Sequence, residues 1–227
     1  MRDPRGDDPH AGGRVAEAGP PLGRASCAGV LLHGRGGGPE DMLDLAGRLA
    51  LPGVAWLAPE AAGRSWWPQS FLAPFESNEP GLSSALAVVA ALRERAEAEV
   101  PAGRVAVMGF SQGGCLALEH AVRAGRPMAA AIGLSAGLLG SAEEDGPPDP
   151  ALYGHRPKRL DYGGALDGMP VLLSVHERDP HIPVARVRES EAAFRGLGAA
   201  PRTLLHRGGG HAVTVDDLRA VRSILNA

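Results

Sequence analysis

The sequence predicts an α/β fold, a mostly parallel sheet with helices on both faces, and three observations carry that prediction. Short strand-like runs alternate with helical patterns along most of the chain. The runs are apolar nearly throughout rather than at every second residue, as in strands buried on both faces. At 227 residues the chain can build one sizeable core, so one domain is expected rather than two.

The elements follow in order. Residues 1–24 begin MRDPRGDDPHAGG, rich in charge and turn formers, and are expected to be a flexible segment ahead of a domain at 25–227. A strand is predicted at 28–32 and a helix at 39–50, where Pro39 suits a first helical position and Glu40 and Asp41 favour the positive end of the dipole. A strand at 54–58 and a helix at 81–99 come next, then a strand at 104–108, a helix at 112–124 and a strand at 129–134. Residues 137–168 keep neither period, so 138–168 is expected to be an insertion, either along one edge or as a lid over the site. A strand at 171–175 follows. Pro183 opens a helix at 184–197, in which Val184, Val187, Phe194 and Leu197 fall near one face, and Gly198 is a stop. After a strand at 203–206, Thr214 and Asp217 have capping-box spacing at the head of a helix over 214–226.

Composition narrows the function classes. A net charge of −3 offers no electrostatic case for nucleic acid or an acidic membrane surface, and 44% apolar with 22% charged residues is ordinary globular usage. The N-terminal stretch lacks an apolar signal-peptide core, and no run of about 18 apolar residues occurs. Cys27 and Cys115, the two cysteines, sit where small core residues belong and suit a reducing compartment. A cytoplasmic protein without stable membrane insertion is expected, and a homodimer is left open.

The chemistry is concentrated where a predicted strand runs through Gly109-Phe110-Ser111-Gln112-Gly113 into a predicted helix. This is the sequence form of a nucleophile elbow, whose sharp turn needs small residues two positions either side of the serine and lifts Oγ out at the top of the sheet. A serine hydroxyl is a weak nucleophile and needs a base that is itself oriented by a third group. On this fold the order is Ser, then Asp or Glu, then His. Asp179, beyond the strand ending near Val175, is the expected orienting acid, with Glu177 in the same turn as its main rival. His211, after Gly208-Gly209-Gly210 and ahead of a helix, is the expected base. Oxyanion donors are expected from the backbone N–H of Gln112 and, in His33-Gly34-Arg35-Gly36-Gly37-Gly38, from that of Arg35. His33 precedes the serine and reads as a structural residue at a strand end. His176, Glu177, Asp179 and His181 crowd one turn, but prolines at 180 and 183 prevent two histidines from stacking one helical turn apart, so no metal site is expected.

These segments, LLHGRGGGPEDM at 31–42, FLAPFESNEPGLSSAL at 71–86, GFSQGG at 109–114, DPHIP at 179–183 and GGGH at 208–211, resemble the phospholipase/carboxylesterase family of α/β-hydrolases from about residue 25 onward. The HGRGG and NEPGLSSAL segments are more similar to its bacterial hydroquinone-esterase branch than to the eukaryotic acyl-protein thioesterases. The resemblance implies an α/β-hydrolase fold, a triad of Ser111, Asp179 and His211, oxyanion donors at Arg35 and Gln112, and no cofactor. It also implies substrate contact at Trp66 and Phe71. One departure is the stretch from Leu138 to Asp161, longer and more polar than the family pattern, which bears on any lid and on pocket depth.

Aromatic residues are scarce at 4%, yet Trp66, Trp67, Phe71 and Phe75 gather within ten positions. They form either an apolar pocket wall or an anchor of the loop to the core. The leading expectation is a serine carboxylic-ester hydrolase of small uncharged esters with short acyl or aryl groups. An acyl-protein thioesterase or lysophospholipase-like hydrolase of longer chains is the second, and a catalytically silent binding module the third. Fold alone also admits a peptidase or a dienelactone-type hydrolase.

Overall fold

The computed structural model describes residues 8–226. Seven strands form one sheet in the order β1-β3-β2-β4-β5-β8-β9: β1 (Val15–Ala18), β3 (Val54–Pro59), β2 (Cys27–Leu32), β4 (Val105–Phe110), β5 (Ala130–Leu134), β8 (Pro170–Arg178) and β9 (Ala200–Gly209). All neighbours are parallel except β1, which runs antiparallel to β3 at one edge. A separate two-stranded ribbon pairs β6 (Ala142–Glu143) with β7 (Lys158–Arg159).

Strand residues alternate between two cores, which explains why the central runs are apolar throughout. Val30, Leu32, Val105 and Val107 face one side, where α2 (Gly81–Glu97), α3 (Gln112–Ala124) and α4 (Val184–Gly196) pack through Leu82, Val89, Leu116 and Phe194. Leu31, Ala106 and Met108 face the other, covered by α1 (Pro39–Leu49) and α5 (Val215–Leu225) through Met42, Leu45, Leu49, Leu218 and Val221. The helix signals have their expected local causes. Pro39 occupies the first turn of α1 and the Asp41 carboxylate accepts the Gly38 N–H at 2.8 Å. Thr214 and Asp217 form the capping box of α5. Gly198, at φ 82°, turns the chain out of α4.

One expectation is corrected. Residues 1–7 of the predicted flexible segment lie outside the described residues, but 8–24 are part of the fold. β1 adds an edge to the sheet, and the buried His10 accepts the Ala62 N–H on Nδ1 at 3.0 Å while Nε2 donates to the Trp66 carbonyl at 2.9 Å. The four residues of β1, half of them small and one charged, are too short and too polar on their outer side to announce a strand. For 138–168 the sequence left open an insertion along one edge or a lid. Leu138, Leu139, Leu152 and Leu166 are buried, the Tyr162 hydroxyl donates to the buried Glu119 at 3.0 Å, and Leu139 N–H donates to the same carboxylate at 2.9 Å. The segment is packed against α3 and α4, and it supplies none of the described residues that line the cavity over Ser111.

Candidate active site

In the sheet order, the chain leaves β2 toward β3 on one side and β4 toward β5 on the other, so the carboxyl ends of β2 and β4 flank a topological switch point. The 33–38 loop and the Ser111 turn both emerge there. Ser111 has φ 54° and ψ −119°, a conformation rare for a residue with a Cβ, and it is fixed by its N–H donating to Leu134 O at 2.8 Å and its carbonyl accepting from Cys115 N at 2.9 Å. The glycines explain how the chain tolerates this turn. A Cβ on Gly109 would lie 2.2 Å from Gly113 C and O, and one on Gly113 would lie 2.1 Å from Leu32 O. Backbones meet at both places, so no side chain could move aside.

His211 Nε2 lies 2.7 Å from Ser111 Oγ, and its Nδ1 lies 2.9 Å from Asp179 Oδ2. Asp179 is buried, and its Oδ1 also accepts the N–H of His181 at 2.9 Å and of Ile182 at 3.0 Å. Burial pushes the Asp179 carboxyl up, but hydrogen bonds from His211 and the two amides outweigh it and hold the group below the ordinary carboxylate range. An ionised Asp179 keeps the Nδ1 proton on His211, leaving Nε2 to accept from the serine. Glu177, the rival acid, is exposed and accepts the Gly208 N–H at 3.0 Å instead. The Tyr153 hydroxyl donates to the Asp179 carbonyl, which ties the acid's loop to the 138–168 segment. The turn that crowds His176 to His181 therefore diverges: Asp179 points to His211, Glu177 to Gly208, and His181 packs edge-on against His211 at 4.8 Å between ring centroids.

Gly34 places the first loop against Ser111, since a Cβ there would lie 3.4 Å from Ser111 Cβ. Among the described residues no acceptor is recorded for the Arg35 N–H, and Gln112, as first residue of α3, has an N–H ahead of the intrahelical ladder. His33 is buried, with Nδ1 donating to Gly34 O at 2.8 Å and Nε2 accepting the Ala61 N–H at 3.1 Å, and burial lowers its pKa. It is a structural strand-end residue.

A cavity of about 530 Å³ opens over Ser111, walled by Trp67, Phe71, Phe110 and Ile182, with Arg35 and Gln69 at the polar side. Phe71 is among its lining residues. Trp66 is not: it is fully buried behind the wall, its Nε1 donating to His33 O at 2.9 Å and its ring packed against His33 and His10. Trp67 takes the cavity position instead. The two tryptophans are adjacent in a bent segment, so sequence alone signals that the aromatic cluster meets the cavity without choosing which ring faces it. Cys115 contributes a neutral thiol to the floor, because burial pushes it up to about 12.

Fold and site together define an α/β-hydrolase built around a serine, and comparison with known proteins agrees. The family model described as Phospholipase/Carboxylesterase matches residues 20–145, more than half of the chain. A phospholipase/carboxylesterase from Dyadobacter fermentans DSM 18053 is 34% identical, with a TM-score of 0.83 over 95% of this chain and 97% of that one. The Bacillus cereus carboxylesterase, 17% identical with a TM-score of 0.68, covers 95% of this chain and 94% of its own. The Zea mays acyl-protein thioesterase 2, 22% identical with a TM-score of 0.65, covers 94% and 98%. These last two share the fold. The chain belongs to the phospholipase/carboxylesterase family, and it is a serine hydrolase of the carboxylesterase/thioesterase type. Among the described residues no helix is long and apolar enough to cross a membrane.

Proposed function

We propose that the protein hydrolyses small carboxylic esters with short acyl or aryl groups through an acyl-enzyme on Ser111. The observation that carries this reading is the line of Ser111 Oγ, His211 and Asp179, with gaps of 2.7 and 2.9 Å, at the base of the cavity. As Oγ attacks the ester carbonyl, His211 Nε2 takes its proton and Asp179 stabilises the imidazolium without itself being protonated. The N–H groups of Arg35 and Gln112 hold the oxyanion, being fixed in place before charge develops. His211 then returns the proton to the departing alcohol, and water, activated by the same ring, hydrolyses the acyl-enzyme. No cofactor enters these steps. The aromatic walls at Trp67, Phe71 and Phe110 support a short or aryl acyl group. Buried, unpaired Cys27 and Cys115 suit a reducing compartment, and we place the enzyme in the cytoplasm.

Hydrolysis of p-nitrophenyl esters from acetate to palmitate, by the intact protein and by Ser111→Ala, tests the reading. Turnover is expected on the short esters, with a loss of about 10⁴-fold or more in Ser111→Ala. A preference for the longest chains would replace it with hydrolysis of long-chain thioesters or lysophospholipids. A folded protein that turns over no ester and takes no fluorophosphonate label on Ser111 would be a binding module.

A further inference from the structure

We propose that the Arg35 side chain makes this site selective for esters that carry an additional ionised carboxylate. The inference rests on Ser111 acting as the esterase nucleophile, and it replaces the uncharged esters expected from the sequence with charged ones of the same short acyl or aryl class. Arg35 lines the cavity and serves two directions at once: its backbone belongs to the loop beside Ser111, and its guanidinium is held against Ser65, Pro68 and Gln69, the last two of which also line the cavity.

Of the described residues that line the cavity, Arg35 alone bears a permanent charge, and none is a carboxylate. Asp179 is turned away, to His211 and two backbone amides. A guanidinium has five N–H donors. Nη1 gives two, to Ser65 Oγ at 2.9 Å and Pro68 O at 3.0 Å, and Nη2 gives one, to Gln69 O at 2.6 Å. All three acceptors are neutral, and they hold the guanidinium plane still while leaving Nε–H and one Nη2–H unused. Among the described residues no acid pairs with Arg35, and partial burial is what pushes its pKa down from 12.5, leaving it a cation. Arg35 is exposed, yet three hydrogen bonds hold its guanidinium in place without a counter-ion in the lining of a cavity whose other walls are Trp67 and Phe71, and there it favours a negative group that solvent only partly screens. The two remaining donors suit a planar carboxylate better than a lysine ammonium would.

The carboxylate can lie on the acyl side, as in a half-ester of a dicarboxylic acid, or on the alcohol side, as in an acylated hydroxy acid. Two substrate pairs separate these sources: monoethyl succinate against ethyl butyrate, and 4-acetoxybenzoate against 4-acetoxybenzamide. The readout is the ratio of kcat/KM for the anionic ester to that for its neutral partner, measured within the native protein, Arg35→Lys and Arg35→Met. A general loss of turnover or packing cancels in that ratio. The native ratio is expected to exceed one by about tenfold for one pair, the scale of a single charge-assisted hydrogen bond, to fall in Arg35→Lys and to vanish in Arg35→Met. It should also shrink as salt is added to the native protein, a reading that needs no variant. Ratios near one in the native protein, or a ratio that Arg35→Met leaves unchanged, would reduce Arg35 to a latch for the 65–69 loop. Failure of the native protein on the neutral esters as well would instead remove the esterase reading beneath the proposal.

Discussion

The corner that carries Ser111 and the 65–75 segment, whose residues 67–71 line the same cavity, are held by opposite means. At the corner, backbone meets backbone. Gly109, Gly113 and Leu32 approach so closely that even a methyl group has no room, and Ser111 keeps its rare φ because both flanking segments are fixed. The wall is held by long polar side chains reaching in from elsewhere. Gln112 accepts Trp66 N–H at 3.0 Å and donates to Trp67 O at 2.8 Å, and Asn78 accepts Gln69 N–H at 2.9 Å. Glu143 accepts Phe75 N–H at 2.7 Å, and Lys158 Nζ donates to Ala73 O at 2.5 Å. The difference teaches where change can enter. The corner has no slack, so the reaction geometry is kept by sterics, whereas the wall is a set of separate latches through which substrate preference can be altered.

The sharpest way to break this comparison is to add one carbon at the corner. Gly113→Ala puts Cβ 2.1 Å from Leu32 O and 2.5 Å from His33 O, both backbone atoms of the strand and loop beside Ser111. A loss of about 4 kcal/mol or more is expected, enough to leave little folded protein. Gly47→Ala in α1, where a Cβ meets nothing within 4 Å, is the control and should be neutral or slightly stabilising. Thermal unfolding of the two variants decides the point. A Gly113→Ala protein that melts with the native one would mean the corner has slack after all.

Asp179→Asn probes the same corner through charge rather than space. The asparagine oxygen can still accept from His181 and Ile182, so the fold should survive. Its amide would donate to His211 Nδ1, moving the ring proton to Nε2 and directing it at Ser111 Oγ. A base that already holds the proton cannot take another, so on the proposed roles kcat should fall on the order of 10³–10⁴-fold with little change in melting temperature. Activity within tenfold of native would transfer the orienting role to another acid, and Glu177→Gln would then be the variant to measure.

The same contrast governs what was legible in the sequence. The corner is written locally: the spacing of Gly109, Ser111 and Gly113 states a steric requirement for small residues, and apolar runs mark the strands ahead of Ser111 and Asp179, whereas β9, ahead of His211, is exposed or half-buried throughout and is legible only through its short 203–206 core. Asp179 could be preferred over Glu177 because the helix beginning after Pro183 leaves it in the loop. The wall is written in side chains distant along the chain. Lys158 reaches Ala73 across 85 positions, and Glu143 reaches Phe75 across 68, from a segment without periodicity. Nothing local marks such partners, and for the same reason β1 and the buried His10 were hidden in a stretch that reads as a charged tail.

The smallest effect tests whether a buried cation latches the wall. Lys158 is 5% exposed, its ammonium lies 4.1 Å from the centre of the Phe75 ring, and burial pushes its pKa down from 10.5 to about 8. Between those values the unfolded chain binds the proton that the folded chain has released, so stability rises with pH. The contribution is fully present above 10.5 and is lost as pH falls through about 8. Other groups titrate in the same window, so the quantity to measure is the difference between the native protein and Lys158→Met in urea unfolding across it. That difference should move by on the order of 2 kcal/mol in favour of the native protein as pH rises, less than the full shift would give because part of the ammonium's hydration is replaced by carbonyls and the aromatic face. Parallel curves would mean that the ammonium stays protonated in the fold, and that the wall at 71–75 rests on Glu143 and its own turns rather than on a buried charge.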